Sequence, residues 1–201
     1  MIENISKYIL YYEKQLEDAN NLLQLLNTEG IPLSNKFKEE FLDLTVEHIQ
    51  YACFFNSSFL DIATSLKGIL TCESNWERRY FLKNGFVTIY ETIKTYNDGI
   101  QKILRSSIKL NFQSFESRKQ EIDLELREFR KKYQYDSVIR GIRNKAGAHY
   151  DKNFIEYYKN LQILDSSFNV KIISDFSNIL MSLLKFWNEL ADEFLKKTEM
   201  G

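Results

Sequence analysis

The chain has 201 residues, of which 44% are hydrophobic and 27% are charged. That balance is ordinary for a folded globular protein and argues against a disordered chain. The formal net charge of −1 gives no overall attraction to nucleic acid or acidic membranes, so any nucleic-acid contact has to be local. One proline and seven glycines over this length predict long helices and argue against a sheet protein joined by turns.

The cysteines and the apolar stretches bear on the cellular compartment of the protein. Cys53 and Cys72 lack CxxC-type spacing, so we expect both thiols to be reduced. Glu3 stands where a signal peptide carries basic residues, and no apolar run follows it. The most apolar stretch, 49–66, contains Asn, Ser and Asp, which predicts a buried helix rather than a membrane span. We therefore expect a cytoplasmic protein with no membrane partner.

The first segment repeats apolar residues at alternating four- and three-residue steps. This spacing places one apolar stripe along a helix of about seven turns, as packing in a bundle requires. Gly30 and the only proline, Pro32, predict that the helix ends within 27–32. The stripe consists of Ile5, Ile9, Tyr12, Leu16, Ala19, Leu23 and Leu26.

The next two helices have clear boundaries in the sequence. We expect the second to begin after Ser34 or Asn35 and to stop near 68–72. The stretch 74–77 has capping-box spacing, in which a Ser side chain accepts from a backbone N–H and a Glu reaches back, so it begins the third helix. A break near 111–117 then precedes the fourth helix.

The fourth helix is expected to continue through Ile142 until Gly147 ends or loosens it. A shorter helix follows from the capping spacing at Asn153 to about Leu164, and 165–170 is interpreted as a loop or a brief extended piece. The last helix carries the apolar stripe from Ile173 onward. The prediction is an all-α, antiparallel bundle of about five long amphipathic helices plus a short helix, forming one domain over 1–201.

The chemistry suggested by the sequence lies in 143–151, Arg-Asn-Lys-Ala-Gly-Ala-His-Tyr-Asp. The guanidinium of Arg143 suits a phosphate, and Asn144 adds a donor and an acceptor. Histidine is the residue type whose unperturbed side-chain pKa lies near neutrality, so His149 suits proton exchange at neutral pH. Together they suffice in principle for RNA cleavage without a metal. The absence of a Gly-rich phosphate loop, an HExxH motif and a Cys/His cluster predicts no cofactor and no dedicated metal site.

Two features of the surroundings bear on this site. On an unbroken helix Arg143 and His149 would lie about 120° apart, so they converge only if Gly147 breaks the helix or if each pairs with a second subunit. The stretch 127–145 holds seven Lys or Arg against two Asp or Glu, a local charge of +5 that suits a polyanion. A run of charge such as 130–132 is more often a solvated face.

Arg143-Asn144, followed after a few residues by Ala148-His149 in the later half of a helical bundle, resembles the motif of the HEPN superfamily. That motif is an arginine, a polar residue that is often Asn, and a histidine after four to six intervening residues. Here five residues intervene, and Asn144 occupies the polar position. The likeness in residues covers 143–149, and beyond them it covers only the bundle architecture, which indicates no subfamily.

The resemblance implies a homodimer that brings two motifs together, and metal-independent endoribonuclease activity of the kind used by toxins and anti-phage abortive-infection systems. On that resemblance Arg143, Asn144 and His149 form the catalytic set. RNA would be the substrate, and an antitoxin or nucleotidyltransferase would be the partner. The alternative is a non-catalytic HEPN-like module that binds a nucleotide, RNA or a partner protein through the same surface.

Simpler roles remain open for each singled-out residue. Arg143 is alternatively a structural ion pair, for which Asp136 is one candidate partner, and His149 alternatively caps the last helix carbonyls. His48 lies on the apolar stripe of the second helix and is expected to be a core histidine. Trp76 and Trp187 are expected to be core residues, and Tyr150 and Asp151 to support the motif.

Overall fold

The computed structural model describes residues 2–28, 39–147 and 154–199. Those residues contain no β-strand, which confirms the all-α prediction. Between the α-helices lie 3-10 turns at Gln113–Phe115 and Ile163–Asp165 and π-helical turns at Tyr96–Ile100, Tyr135–Ile139 and Arg143–Gly147. The α-helices are α1 (Ile2–Thr28), α2 (Glu39–Thr71), α3 (Asn75–Thr95), α4 (Gln101–Asn111), α5 (Glu116–Lys132), α6 (Arg140–Ile142), α7 (Phe154–Gln162) and α8 (Ser167–Glu199).

The core lies where α2, α3, α5 and α8 meet. α2 packs against α1, α3 and α8, and α8 also packs against α3 and α5. The stripe predicted for the last helix is buried where its side chains are described, and Trp187 is only 3% exposed. His48 is half-buried, with its ring 5.4 Å from that of Trp187 and its backbone carbonyl accepting from the indole N–H at 3.0 Å. Burial of this apolar surface stabilises the bundle.

α1 lies on the outside of the bundle. The residues of its predicted stripe are half-buried, apart from Leu26, whose side chain is outside the described set. Ile5, Ile9 and Tyr12 pack on the core, while Leu10 is exposed. The predicted stripe is thus confirmed as the face that α1 turns toward the other helices. The expected end of the first helix at 29–32 and the expected start of the second after Ser34 or Asn35 lie outside the described residues.

α3 begins as predicted, with Ser74 and Glu77 forming a capping box. The prediction that Trp76 is a core residue is wrong, because its side chain is 57% exposed. The buried stripe of α3 runs through Leu82 and Phe86 and extends back by three residues to Arg79, not to Trp76. Arg79 is accordingly 12% exposed and pairs with Asp165 at 2.6 Å, and this bidentate contact raises the pKa of the guanidinium.

The predicted fourth helix is interrupted, which corrects the expectation of one helix from about 117 to 147. α5 ends at Lys132, and Gln134 adopts a left-handed conformation with φ 48°. No Gly or Pro marks this position, so the usual sequence signal for a break is missing. A second helical segment, 135–147, then runs from the π-turn Tyr135–Ile139 through α6 to the π-turn Arg143–Gly147. We call this segment the motif helix.

The segment before α8 is also shorter than predicted. The expected loop or extended piece at 165–170 is wrong, because Ser166 alone separates the 3-10 turn from α8. The Ser166 side chain accepts from the backbone N–H of Phe168 at 3.2 Å, which satisfies a free donor of the first turn. None of the helices in the described part of the chain is both long and apolar enough to cross a membrane.

Candidate functional site

Arg143 opens the last π-turn of the motif helix and contacts α3. Its Nε and Nη2 atoms both donate to Oε1 of Glu91, at 3.1 Å and 2.7 Å. The Arg143 side chain is 32% exposed and that of Glu91 is 41% exposed, so this ion pair lies at the surface and water reaches both groups. Two hydrogen bonds to one carboxylate oxygen fix the plane of the guanidinium.

Asn144 adds a third contact to the same guanidinium. Its side-chain oxygen accepts from Nη1 of Arg143 at 3.2 Å, and Asn144 itself is exposed. A guanidinium carries five N–H donors, so three described contacts leave one donor on each terminal nitrogen. The structure therefore brings two of the three predicted site residues together, and two N–H donors of Arg143 take no partner among the described residues.

Two stacked tyrosines, Tyr90 and Tyr135, lie beside the guanidinium of Arg143. The Arg143 Cζ atom lies 5.1 Å from the ring centre of Tyr90, and the rings of Tyr90 and Tyr135 stack at 5.6 Å with an interplanar angle of 9°. The Tyr135 hydroxyl donates to the backbone carbonyl of Tyr90 at 3.0 Å. Arg130 lies over the other member of the stack, with Cζ 5.0 Å from the centre of Tyr135. Cation–π contacts thus link Arg143 and Arg130 through two rings.

Burial and the neighbouring Tyr90 raise the pKa of the Tyr135 hydroxyl above its usual value. The hydroxyl is therefore protonated at neutral pH and acts as a hydrogen-bond donor. Tyr135 is 6% exposed and packs the motif helix against α3. The stack thus supports the guanidinium of Arg143.

The suggestion that Asp136 pairs with Arg143 is wrong. Asp136 pairs instead with Arg130, at 3.4 Å. The suggestion assumed a regular α-helix between the two residues, whereas two π-turns alter the rotation along 135–147. Glu91 precedes Arg143 by 52 residues, and no local spacing in the sequence identifies it as the partner.

His149, the third predicted catalytic residue, lies outside the described residues, as do Tyr150 and Asp151. The expected convergence of His149 with Arg143 therefore stays a prediction, and so does the expected cap on the helix carbonyls. Gly147 is the last residue of the motif helix that the structure describes, and the helix is wound as a π-turn up to that residue. π-Turns inside helices are frequent at functional sites.

The basic stretch 127–145 divides among several faces. Lys132 pairs with Asp175 at 3.0 Å, Arg130 with Asp136, and Arg143 with Glu91. Burial acts to raise the pKa of Asp175, but hydrogen bonds from Tyr133, Lys171 and Lys132 outweigh it and lower that pKa to about 2. The remaining four cations, none within 4.0 Å of a described carboxylate oxygen, are Arg127, Lys131, Arg140 and Lys145.

Among the described residues, no group of three or more His, Cys, Asp and Glu is arranged to hold a metal ion. The groups at Arg143 are one guanidinium, one carboxylate, one amide and a phenol ring. The guanidinium is the group that suits an oxyanion, and the carboxylate of Glu91 already pairs with it. No protein-family model matches the chain, and no curated protein and no solved structure is significantly similar to it.

Proposed function

We propose that the protein is a HEPN-like, metal-independent endoribonuclease. The observation that supports this proposal best is the state of Arg143, six residues before His149. Glu91 and Asn144 fix its guanidinium while a third of the side chain stays exposed. A fixed cation with free donors stabilises the charge that develops on a phosphate better than a mobile one, because no reorganisation is needed during the reaction.

The proposed reaction is transfer of the phosphate to the neighbouring 2′-hydroxyl. The 2′-oxygen attacks the adjacent phosphorus, its proton passes to a base, and the bond from phosphorus to the 5′-oxygen breaks as that oxygen takes a proton. The products are a 2′,3′-cyclic phosphate and a 5′-hydroxyl. His149 carries the proton transfer, Arg143 stabilises the phosphate oxygens, and Asn144 positions the nucleotide or the histidine.

Glu91 and Tyr90 are positioning residues in this proposal. Glu91 orients Arg143 through two hydrogen bonds, and Tyr90 supports the guanidinium plane. The protein acts as a homodimer in which two motifs meet in one cleft. Its biological setting is a toxin–antitoxin or anti-phage system, with an antitoxin or nucleotidyltransferase as partner.

The deciding experiment is cleavage of a mixed-sequence RNA by the purified protein in EDTA, with analysis of the new ends. We expect 2′,3′-cyclic phosphate ends, and at least a 100-fold lower rate for His149→Ala and for Arg143→Ala. Arg140→Ala is the matched control, since Arg140 is an exposed arginine one turn before Arg143 with no ion pair to a described residue. Thermal unfolding of all variants separates lost chemistry from lost folding.

The ion pair itself favours a second candidate function, a non-catalytic module that binds a nucleotide, RNA or a partner protein. Glu91 already balances the charge of Arg143, as expected if the pair only holds the motif helix on α3. That candidate predicts no RNA cleavage under any condition and a ligand whose binding depends on Arg143.

For the nuclease proposal, equal RNA cleavage by the wild type and by His149→Ala would show that His149 takes no part in the reaction.

A further inference from the structure

A polar cavity of about 430 Å³ lies beside the tyrosine stack, between the start of α4 and the second half of α5. One wall comes from the π-turn Tyr96–Ile100 and α4, and the other comes from α5. We call it the basic cavity. The first wall carries Asn97, Gln101 and Arg105, and the second carries Arg127, Arg130 and Lys131.

Helix periodicity explains why these side chains converge. The first wall uses positions 97, 101 and 105, which follow one another at four-residue steps and so share one helix face. The second wall uses 123, 127 and 131 at the same steps, together with 130 beside them. The two faces thus present two arginines and a lysine, Arg105, Arg127 and Lys131, to one space.

Asp123, on the second wall of the cavity, is the centre of a hydrogen-bond cluster that joins the two walls. Its carboxylate accepts from the Tyr96 hydroxyl at 2.7 Å and from the Gln101 amide at 3.1 Å, and it pairs with the ammonium of Lys119. Burial acts to raise the pKa of Asp123, but hydrogen bonds from Lys119, Tyr96 and Gln101 outweigh it, so the pKa lies below its usual value. Asp123 is therefore ionised at neutral pH and is already neutralised by Lys119.

The charge of the walls is not balanced in the same way. Asp136, the second carboxylate at the cavity, pairs with Arg130. Within the described part of the chain, no carboxylate oxygen comes within 4.0 Å of Arg105, Arg127 or Lys131. Three cations without a described carboxylate partner thus border the cavity, together with Arg130. Arg105, Arg127 and Lys131 are exposed, so solvent screens their repulsion in part, and one anion of several charges would pair with more than one of them.

The shape and chemistry indicate which anion fits. Arginine forks match phosphate oxygens in pairs, and lysine adds a point charge. The cavity volume of about 430 Å³ exceeds the space of one phosphate group. Asn97 and Gln101 add amide groups that suit the polar organic part of a ligand.

The geometry points to a second ligand site, in which the basic cavity binds a small molecule carrying a diphosphate or triphosphate group. Arg105, Arg127 and Lys131 bind the phosphates, and the amide of Asn97 contacts the remainder of the molecule. The contacts of Asp123 with Tyr96 and Lys119 hold the two walls in place. This site is distinct from Arg143, which is not among the residues that line the cavity, and it does not depend on the proposed nuclease activity.

The test measures binding of inorganic tripolyphosphate to the full chain by calorimetry in resin-treated, metal-free buffer. We expect one site per chain, with affinity lowered at least about tenfold in Arg127→Ala/Lys131→Ala. The control is Lys102→Ala/Arg140→Ala, which removes the same charge from exposed positions outside the cavity and should stay within about twofold of the wild type. Thermal unfolding without ligand checks that both double variants fold.

A second arm distinguishes a small molecule from the backbone of RNA. A twelve-nucleotide RNA with a 5′-hydroxyl end should not displace tripolyphosphate at equal phosphate concentration, because its phosphates carry one charge each. Failure of tripolyphosphate to bind, or an equal loss of affinity in both double variants, would overturn the proposal. Displacement by the RNA would also overturn it, since the cavity would then be a contact for RNA backbone.

Discussion

Arg143 and Arg130 lie over the two members of one tyrosine stack, yet they belong to regions that differ in charge balance. At Arg143, a carboxylate from α3 takes two hydrogen bonds and the cation is fixed. In the basic cavity, both carboxylates have other partners, and Arg105, Arg127 and Lys131 have no carboxylate partner among the described residues. A fixed cation suits stabilisation of a transition state, whereas unbalanced cations suit binding of a stable anion.

The largest effect is expected from Tyr135→Ala, which removes the ring that the two regions share. Tyr135 is 6% exposed, stacks on Tyr90 and donates to its carbonyl. Loss of a buried aromatic side chain should lower the free energy of unfolding by about 3–5 kcal/mol. Urea unfolding measures this loss.

Tyr135→Phe is the matched control for that measurement. It keeps the ring and removes one hydrogen bond, so the loss should be only about 1 kcal/mol. If the two variants were equally destabilised, the hydroxyl rather than the stacked ring would hold the motif helix to α3.

The next largest effect is expected from Lys119→Met, which removes the cation paired with Asp123. The side chains of Lys119 and Asp123 are 7% and 12% exposed, so removing the lysine leaves a largely buried carboxylate with two neutral hydrogen bonds and no cation. At pH 7 this should cost about 3 kcal/mol of stability. Arg118→Met is the control, because the pair of Arg118 with Glu121 lies at the surface and should contribute below about 1 kcal/mol.

The dependence of that loss on pH identifies its cause. In the wild type the pKa of Asp123 is lowered, so its stabilisation is complete above the unfolded pKa of about 3.9 and is lost as pH falls below that value. In Lys119→Met, burial acts with less opposition, so protonation on acidification stabilises the variant. The difference between the two proteins should therefore shrink from pH 7 to pH 4. A constant difference would assign the loss to packing of the lysine stem.

The sequence alone predicts the features that depend on residues three or four positions apart within one helix. The stripes of α1 and α8 and the capping box at Ser74 follow from three- and four-residue spacing, and the structure confirms them. The break at Gln134 was missed, because a left-handed residue that is neither Gly nor Asn leaves no local signal. The prediction for Trp76 is wrong because a shift of one position along a helix moves a side chain from the core face toward the solvent.

The site was predicted only in its local part for the same reason. Arg143 and Asn144 are adjacent in sequence, and the structure places their side chains in contact. Glu91 and Tyr90 belong to another helix and reach Arg143 only through packing of the motif helix on α3. The two walls of the basic cavity likewise show regular spacing, but only the fold places them opposite each other.

A smaller effect is expected from Glu91→Gln, which separates positioning of Arg143 from simple packing. Gln keeps the size of the side chain and one acceptor, but it removes the charge that orients the guanidinium. On the proposed function, RNA cleavage should fall about tenfold, while stability should change by less than about 1 kcal/mol because the pair is at the surface. Glu128→Gln, at an exposed position of α5, is the control for charge. Unchanged cleavage in Glu91→Gln would leave Arg143 catalytic without Glu91.

The smallest effect on stability is expected when Arg130 and Arg143, which lie over the tyrosine stack, are each replaced by a neutral residue. Both contacts are at the surface, so Arg130→Gln and Arg143→Gln should each cost below about 1 kcal/mol of stability. Only Arg130 lines the cavity, so its variant alone should weaken tripolyphosphate binding, by about threefold. Equal weakening in both variants would mean that the anion senses Arg143 through the stacked rings, and the two regions would then form one extended site.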